Sequence, residues 1–148
     1  MKAHDITELV ALLKRRDIDG FRNNEAKVRL GRLSVAYLKH LAKLLGLSRE
    51  DFEVHFNPAG PAVSGDTWLQ STRFAVMLAP NDHGVLFRRC ERLEVEGTRG
   101  KPTYHWSTRY PNRWASYDEL GDPSTFAAKV KRCEADPRDV WPPPPLVG

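Results

Sequence analysis

Cysteine and long apolar runs are both scarce in this chain of 148 residues. Its two cysteines, Cys90 and Cys133, allow one disulfide at most, and no apolar run approaches the roughly 18–20 residues that span a bilayer. The N-terminal segment carries Asp5 and Glu8 inside a short apolar stretch and is not followed by a small-residue cleavage site, unlike a secretory signal. We therefore predict a cytoplasmic protein with reduced thiols and no membrane partner.

Spacings typical of metal sites and of nucleophilic catalysis are also missing. The candidate metal ligands are His55, His83, Cys90 and His105. None of them stand at C-x-x-C, H-x-x-x-H or H-E-x-x-H spacing. Cys90 follows two arginines, which lower a thiol's pKa, and His105 or His83 could act as its base, but no orienting third residue is suggested. The nearby carboxylates belong to Glu91, Glu94 and Glu96, and their pattern is that of a solvated strand. We predict no metal, no cofactor and no catalysis, and a Cys/His enzyme is an alternative.

Charge is distributed unevenly along the chain. The net charge is +4, from 23 basic and 19 acidic side chains. Residues 51–84 hold one basic and four acidic residues, whereas residues 1–50 hold eleven and six, and residues 85–114 hold seven and three. Two basic segments thus flank an acidic one, which allows a basic face for an acidic protein or a nucleic acid.

Helical periodicity marks both ends of the sequence. Residues 5–16 repeat apolar side chains at i, i+3, i+4 and i+7, with Asp5 predicted as the N-cap and Glu8 as its capping-box partner. Residues 25–48 carry a wide apolar stripe, in which Gly31 and Ser34 suggest a break before a second helix of about residues 34–45. Towards the other end, Asp122 followed by Pro123 predicts a helix start.

The period changes to two after Ser48. Phe52, Val54 and Phe56 alternate with polar residues, which predicts a half-buried strand over residues 51–57. The other predicted strands cover residues 67–78, 84–96 and 102–110. The predicted fold is α+β, with N-terminal helices and a C-terminal helix packed on a four-stranded antiparallel sheet. Residues 1–136 would form a single domain, and residues 137–148 a Pro-rich tail with polyproline II geometry.

The segment between the first two strands, residues 57–66, contains two prolines and two glycines. Pro58 and Pro61 stop ladder hydrogen bonding, and Gly60 and Gly65 permit positive φ, as a connection between strands requires. A phosphate-binding loop would lead into a helix with a lysine nearby, whereas a strand and Asp66 follow here. We interpret the segment as a structural turn.

Residues 37–56 also fit the apolar spacing of a helix-turn-helix. The second helix would be residues 48–56, where Arg49 is the single cation beside Glu50, Asp51 and Glu53. A recognition helix must present donors to the major groove, and this one would present mainly carboxylates. The alternation in the same residues favours a strand.

Arginines and aromatic residues are interleaved between residues 85 and 114. The residues predicted to bind a partner are Arg88, Arg89, Trp106, Arg109, Arg113 and Trp114. On an antiparallel sheet, such residues form platforms for single-stranded nucleic acid, and they also form the hot spots of protein interfaces. The structural alternative places the rings in the core and pairs the arginines with nearby glutamates.

Three stretches carry a resemblance to known proteins: "HFNPAGPAVSGDTWLQST" at 55–72, "VLFRRC" at 85–90 and "DPSTFAAKV" at 122–130. The chain resembles uncharacterised small proteins of bacterial phages, plasmids and integrative elements over about residues 52–132. Those proteins share the N-terminal helices, an Asn-x-x-Gly-x-Ala-Val-Ser-Gly-acid loop, a strand ending near Leu-Phe-Arg-x-Cys and a closing helix. The sequence departs from them after Cys90, where they carry an Asp-Tyr-Thr-Gly-Gly type of turn. The resemblance implies an accessory protein of a mobile element and carries over no functional residue.

We therefore predict a non-enzymatic interaction protein of a mobile genetic element. It would bind a host protein or nucleoprotein through its basic and aromatic residues, with the countering of host defence as one role. A nucleic-acid-binding regulator, acting through a helix-turn-helix or a sheet platform, is the alternative of a different class.

Overall fold

A computed structural model shows the predicted α+β fold, and it describes residues 1–15, 24–58, 65–97, 102–107 and 109–135. The helices are α1 (Ala3–Leu13), α2 (Asn24–Leu44) and α3 (Pro123–Lys131), with short 3-10 turns at Arg49–Asp51, Tyr117–Gly121 and Arg132–Ala135. The strands are β1 (Phe52–Asn57), β2 (Asp66–Ser71), β3 (Phe74–Leu78), β4 (Val85–Arg89), β5 (Arg92–Glu96), β6 (Pro102–Trp106) and β7 (Arg113–Ala115). The Pro-rich tail and residues 59–64 of the predicted turn lie outside the described residues.

The main sheet has five antiparallel strands in the order β1-β2-β3-β4-β7, so the prediction of four strands is wrong. The predicted strand 67–78 divides into β2 and β3, which pair as a hairpin. The predicted strand 84–96 leaves the sheet after Arg89, and its second half pairs with β6 as a separate two-stranded sheet. The chain then returns to place β7 beside β4.

The hairpin between β2 and β3 is made by a buried serine hydroxyl. Ser71 Oγ donates to Phe74 O at 2.7 Å and accepts from the backbone N–H groups of Phe74 at 2.7 Å and Arg73 at 3.1 Å. Among the residue types that dominate turns, residues 71–74 contain serine but no glycine, proline, asparagine or aspartate. A side chain therefore supplies the hydrogen bonds that turn the chain.

Ser71→Ala is expected to lower the free energy of unfolding by about 1–3 kcal/mol, because it leaves buried backbone groups without partners. Urea denaturation measures this change. The control is Thr72→Ala, a neighbouring position in the same turn, which should change stability by less than about 0.5 kcal/mol. Equal stability of the two variants would mean that the hydroxyl does not hold the turn.

Two predictions about helix boundaries are wrong. Helix α2 runs without a break through Gly31. The glycine here leaves room for an aromatic ring, since a Cβ at Gly31 would lie 2.8 Å from Phe56 Cζ. Helix α1 begins at Ala3, so Asp5 lies inside its first turn and is not the N-cap. Glu8 accepts from Arg29 of α2 at 2.8 Å and so joins the two helices instead of closing a capping box.

Other local predictions are confirmed. Asp122 caps α3 by accepting from Thr125 N at 3.2 Å, with Pro123 in the first turn. Residues 52–57 form a strand, and Arg49–Asp51 a single 3-10 turn. The helix-turn-helix alternative therefore has no recognition helix in the position that the sequence allowed.

The core lies between the helices and one face of the sheet, here called the inner face. Leu69, Val76 and Phe87 stand opposite one another on β2, β3 and β4, and all are buried in it. The helices contribute side chains such as Tyr37, whose hydroxyl donates to Leu120 O at 2.9 Å. The other side of the sheet is the outer face. Among the described residues, no helix has the length and apolarity needed to cross a membrane.

Candidate functional site

The sheet separates the predicted binding residues from one another. Side chains alternate between faces along a strand, and directly opposed residues share a face. Phe87 and Ala115 point into the core, so Arg89 and Arg113 share the inner side with them. Arg88 and Trp114 therefore lie on the outer face. Trp106 ends β6, and Arg109 follows in the connection to β7, so the six residues do not form one surface.

Arg89 and Arg109 lie around a buried tyrosine. Their guanidinium carbons are 5.1 and 5.3 Å from the ring centroid of Tyr110, which is 7% exposed. The Tyr110 hydroxyl donates to Glu91 Oε2 at 3.2 Å, and Arg109 forms an ion pair with the same carboxylate. For Arg109, the structure thus shows the arginine–glutamate pairing that was the structural alternative.

Arg88 is also held inside the molecule. Only 8% of it is exposed, and its guanidinium carbon lies 5.9 Å from the ring centroid of Trp68 on β2. Trp68 was not predicted as a binding residue, although its alternation with Thr67 and Leu69, both buried, could have placed it on the outer face. The sequence did not indicate the turn at Ser71, so residues 67–78 were predicted as a single strand and the faces of β2 were not assigned.

A row of side chains crosses the outer face at the level of Trp68. The strand register places one residue of each strand opposite the next. This outer aromatic row consists of His55, Trp68, Met77, Leu86 and Trp114. Trp114 is 40% exposed, Trp68 and Met77 are half-buried, and Leu86 is buried. The ring of His83, from the turn before β4, packs against Trp114 with 5.1 Å between centroids.

The β5–β6 hairpin follows β4 in the chain and contacts β1 at the opposite edge of the main sheet. At its base, Ser107 N donates to Glu91 O at 2.9 Å, just beyond β4. Trp106 Nε1 donates to Glu53 Oε1 on β1 at 2.8 Å. Ala75, an outer-face residue of β3, is fully buried, so this end of the outer face is covered. The outer aromatic row lies towards the other end.

Carboxylates border the outer aromatic row. Asp66 Oδ2 accepts from Trp68 Nε1 at 3.1 Å, and Asp82 is exposed in the turn that carries His83. Arg88, a cation beside the row, is buried. Among the described residues beside the row, the carboxylates are thus more accessible than the cation, whereas the sequence of residues 85–114 had led us to expect exposed positive charge.

The Cys90 thiol is buried beside the base of the hairpin. Its sulfur lies 3.8 Å from the carbonyl oxygens of Glu91 and Ser107. Burial raises the pKa of this thiol, despite the nearby Arg88 charge, so the protonated form dominates at neutral pH. Cys133 is also buried, and no disulfide joins the two cysteines. In the described segments, no group of three or more His, Cys, Asp or Glu side chains could hold a metal ion.

Comparison with protein-family models, with curated proteins and with solved structures finds no match for this chain.

Proposed function

We propose that this protein is a non-enzymatic interaction protein whose outer aromatic row binds a host protein or nucleoprotein. The observation that carries the proposal is Trp114, a tryptophan that is 40% exposed on a regular sheet, with Met77 and Trp68 in the same row. Aromatic residues and methionine are enriched in protein interfaces, and tryptophan is one of the three residue types enriched among hot spots. The resemblance to proteins of phages and plasmids supplies the context, an accessory protein with a bacterial partner, and the countering of host defence fits that context.

The tryptophans of the row are held in place by the chain itself. Asp66 fixes the indole N–H of Trp68, Arg88 lies against the same indole, and His83 packs against Trp114. Side chains that are already ordered lose little conformational entropy on binding. We therefore assign Arg88 a positioning role and the tryptophans the contact with the partner.

Charge favours a protein as the partner. Phosphate contacts from Lys and Arg supply most of the affinity of nucleic-acid binding, and they require accessible cations. The Asp66 carboxylate beside the row would repel phosphates, and Arg89 and Arg109 lie against the ring of Tyr110. Binding through the row should depend weakly on salt, whereas a nucleic-acid-binding regulator would lose affinity steeply with the logarithm of salt concentration.

The environment of Cys90 supports a role without catalysis. A nucleophilic cysteine needs an accessible thiolate with a lowered pKa, and the Cys90 thiol is buried with a raised pKa. His83, one of its two candidate bases, lies at the opposite end of β4.

Trp114→Ala is expected to weaken partner binding at least about 30-fold, because a hot-spot residue is worth about 2 kcal/mol or more. Immobilised protein would first retain the partner from a bacterial lysate. Titration calorimetry with the purified partner would then compare the dissociation constant of the unchanged protein with that of the Trp114→Ala variant.

The matched control is Leu93→Ala on β5, since Leu93 is 39% exposed and Trp114 40%. This variant should bind like the unchanged protein. A Trp114→Ala variant that also binds unchanged would contradict the proposal. Loss of binding in Arg113→Ala, together with a steep salt dependence, would support the nucleic-acid alternative instead.

A further inference from the structure

Strand β1 forms one edge of the five-stranded sheet, and no described strand lies beyond it. It is six residues long, whereas β7 at the opposite edge has three. An exposed edge of this length presents a row of backbone donors and acceptors that can pair with another chain. The residues of β1 therefore determine what can bind there.

The outward backbone groups of β1 belong to its apolar residues. Thr72 N donates to Asp51 O at 3.0 Å, which makes these two opposed residues a hydrogen-bonded pair. Hydrogen-bonded and non-hydrogen-bonded pairs alternate along an antiparallel ladder. The N–H and C=O groups of Phe52, Val54 and Phe56 therefore point away from β2, towards the open edge.

We propose that two copies of this chain pair through β1, antiparallel, about a two-fold axis at Val54. Val54 then lies opposite its own counterpart, and Phe52 lies opposite Phe56 of the second copy. Every outward N–H and C=O group of these residues finds a partner, in about six hydrogen bonds. Because opposed residues share a face, both sets of helices remain on the same side of the joined sheet.

The polar side chains of β1 are complementary in this register. Glu53 and His55 lie on the outer face, one residue on either side of Val54. Pairing at Val54 therefore places the Glu53 carboxylate, whose Oε1 accepts from Trp106 Nε1, opposite the His55 imidazole of the second copy, so that Oε2 faces the imidazole and the two-fold axis repeats the pair. A two-fold axis at His55 instead of Val54 would remove both Glu53–His55 pairs. A register changed by one residue would place inner-face side chains opposite outer-face ones.

Helix α2 provides a second observation that points to the same edge. Gly31 lies against Phe56, so one flank of α2 faces β1, while Arg29 on the other flank pairs with Glu8 of α1. The flank above β1 carries Val28, which is 52% exposed, and Val35, which is half-buried. An exposed valine beside an open edge is explained if it packs against the same flank of a second copy.

This inference goes beyond the proposed function and does not depend on it. The joined sheet would carry both outer aromatic rows on one face, so that one dimer presents two copies of the proposed binding surface. The oligomeric state can be tested without knowing the partner.

Analytical ultracentrifugation of the full chain at 1–200 µM is expected to show a dimer that dissociates on dilution. Val54→Pro should weaken dimerisation at least 10-fold, because proline removes an outward donor that the edge strand of the monomer does not use. Val28→Lys should do the same by placing like charges together. The control Ala36→Lys, at an exposed α2 position outside the β1 flank, should leave the dimer intact, and circular dichroism should show that all variants fold.

Crosslinking tests the register. The Cα atoms of a hydrogen-bonded antiparallel pair are about 5.5 Å apart, within the range for a disulfide. Val54→Cys should therefore give a covalent dimer on oxidation, and His55→Cys should not. A monomer at every concentration, a dimer that survives both Val54→Pro and Val28→Lys, or crosslinking through His55→Cys alone would overturn the proposal.

Discussion

Gly84→Ala is expected to lower the free energy of unfolding by more than about 3 kcal/mol. Gly84 precedes β4 with a φ of +101°, a conformation that is strained for residues with a side chain. A Cβ at this position would lie 2.2 Å from the carbonyl oxygen of Ala115 on β7. That oxygen belongs to the backbone of a paired strand and cannot rotate away, so β7 must separate from β4 to relieve the clash.

Gly46→Ala separates the cost of the positive φ from the cost of the clash with a neighbouring strand. Gly46 also has a positive φ, of +75°, but a Cβ there would meet nothing within 4 Å. The free energy of unfolding of this variant should fall by about 1 kcal/mol, the cost of the positive φ alone. Urea denaturation of both variants gives the comparison. Equal losses at the two positions would show that the close approach to Ala115 does not constrain the turn.

Phe126→Ala is expected to cost about 3–5 kcal/mol, a large part of the 5–15 kcal/mol typical of a domain. Phe126 is 1% exposed and is the largest fully buried side chain of α3. Its ring meets Phe87 of β4 edge to face, with 6.0 Å between centroids and an interplanar angle of 80°. Truncation therefore leaves a cavity between α3 and the sheet and removes the aromatic contact.

The measurement is again urea denaturation, with Phe126→Leu as the matched variant. Leucine keeps much of the buried volume, so the loss should be about 1 kcal/mol. If Phe126→Ala were as stable as Phe126→Leu, α3 would not be packed on the sheet as described.

Elements whose signal is local could be predicted from the sequence. The alternation of Phe52, Val54 and Phe56 predicted β1 to within one residue, and Asp122 with Pro123 predicted the start of α3. Each of these signals depends on a few neighbouring residues and their own backbone. The packing of distant segments does not change it.

The errors occurred where a distant contact or an unusual turn decides the structure. Gly31 was interpreted as a helix break, whereas its role is to let Phe56 of β1 pack closely against α2. Ser71 forms its hairpin with a side chain, and β7 is too short, at three residues, to show a period. No property of residues 84–96 indicates that the chain changes sheets after Arg89.

For the candidate site, the sequence indicated the residue types but not the faces. Trp114 was predicted as a binding residue and is exposed on the outer face. Arg88 shares the outer face with it, whereas Arg89 and Arg113 lie on the inner side. Glu91 and Tyr110 engage Arg109 in the connection to β7. The side to which a strand residue points depends on register, and register is set by strand pairing across the whole chain.

Strands β4 and β7 are hydrogen-bonded neighbours, yet residues 90–112 lie between them in the sequence. The β5–β6 hairpin is thus an insertion into a two-strand unit, with its base closed by Ser107 and Glu91. Loop-closure entropy grows only with the logarithm of length, about 0.6 kcal/mol for each doubling. Selection can therefore lengthen, shorten or replace this segment while the helices and the main sheet stay the same.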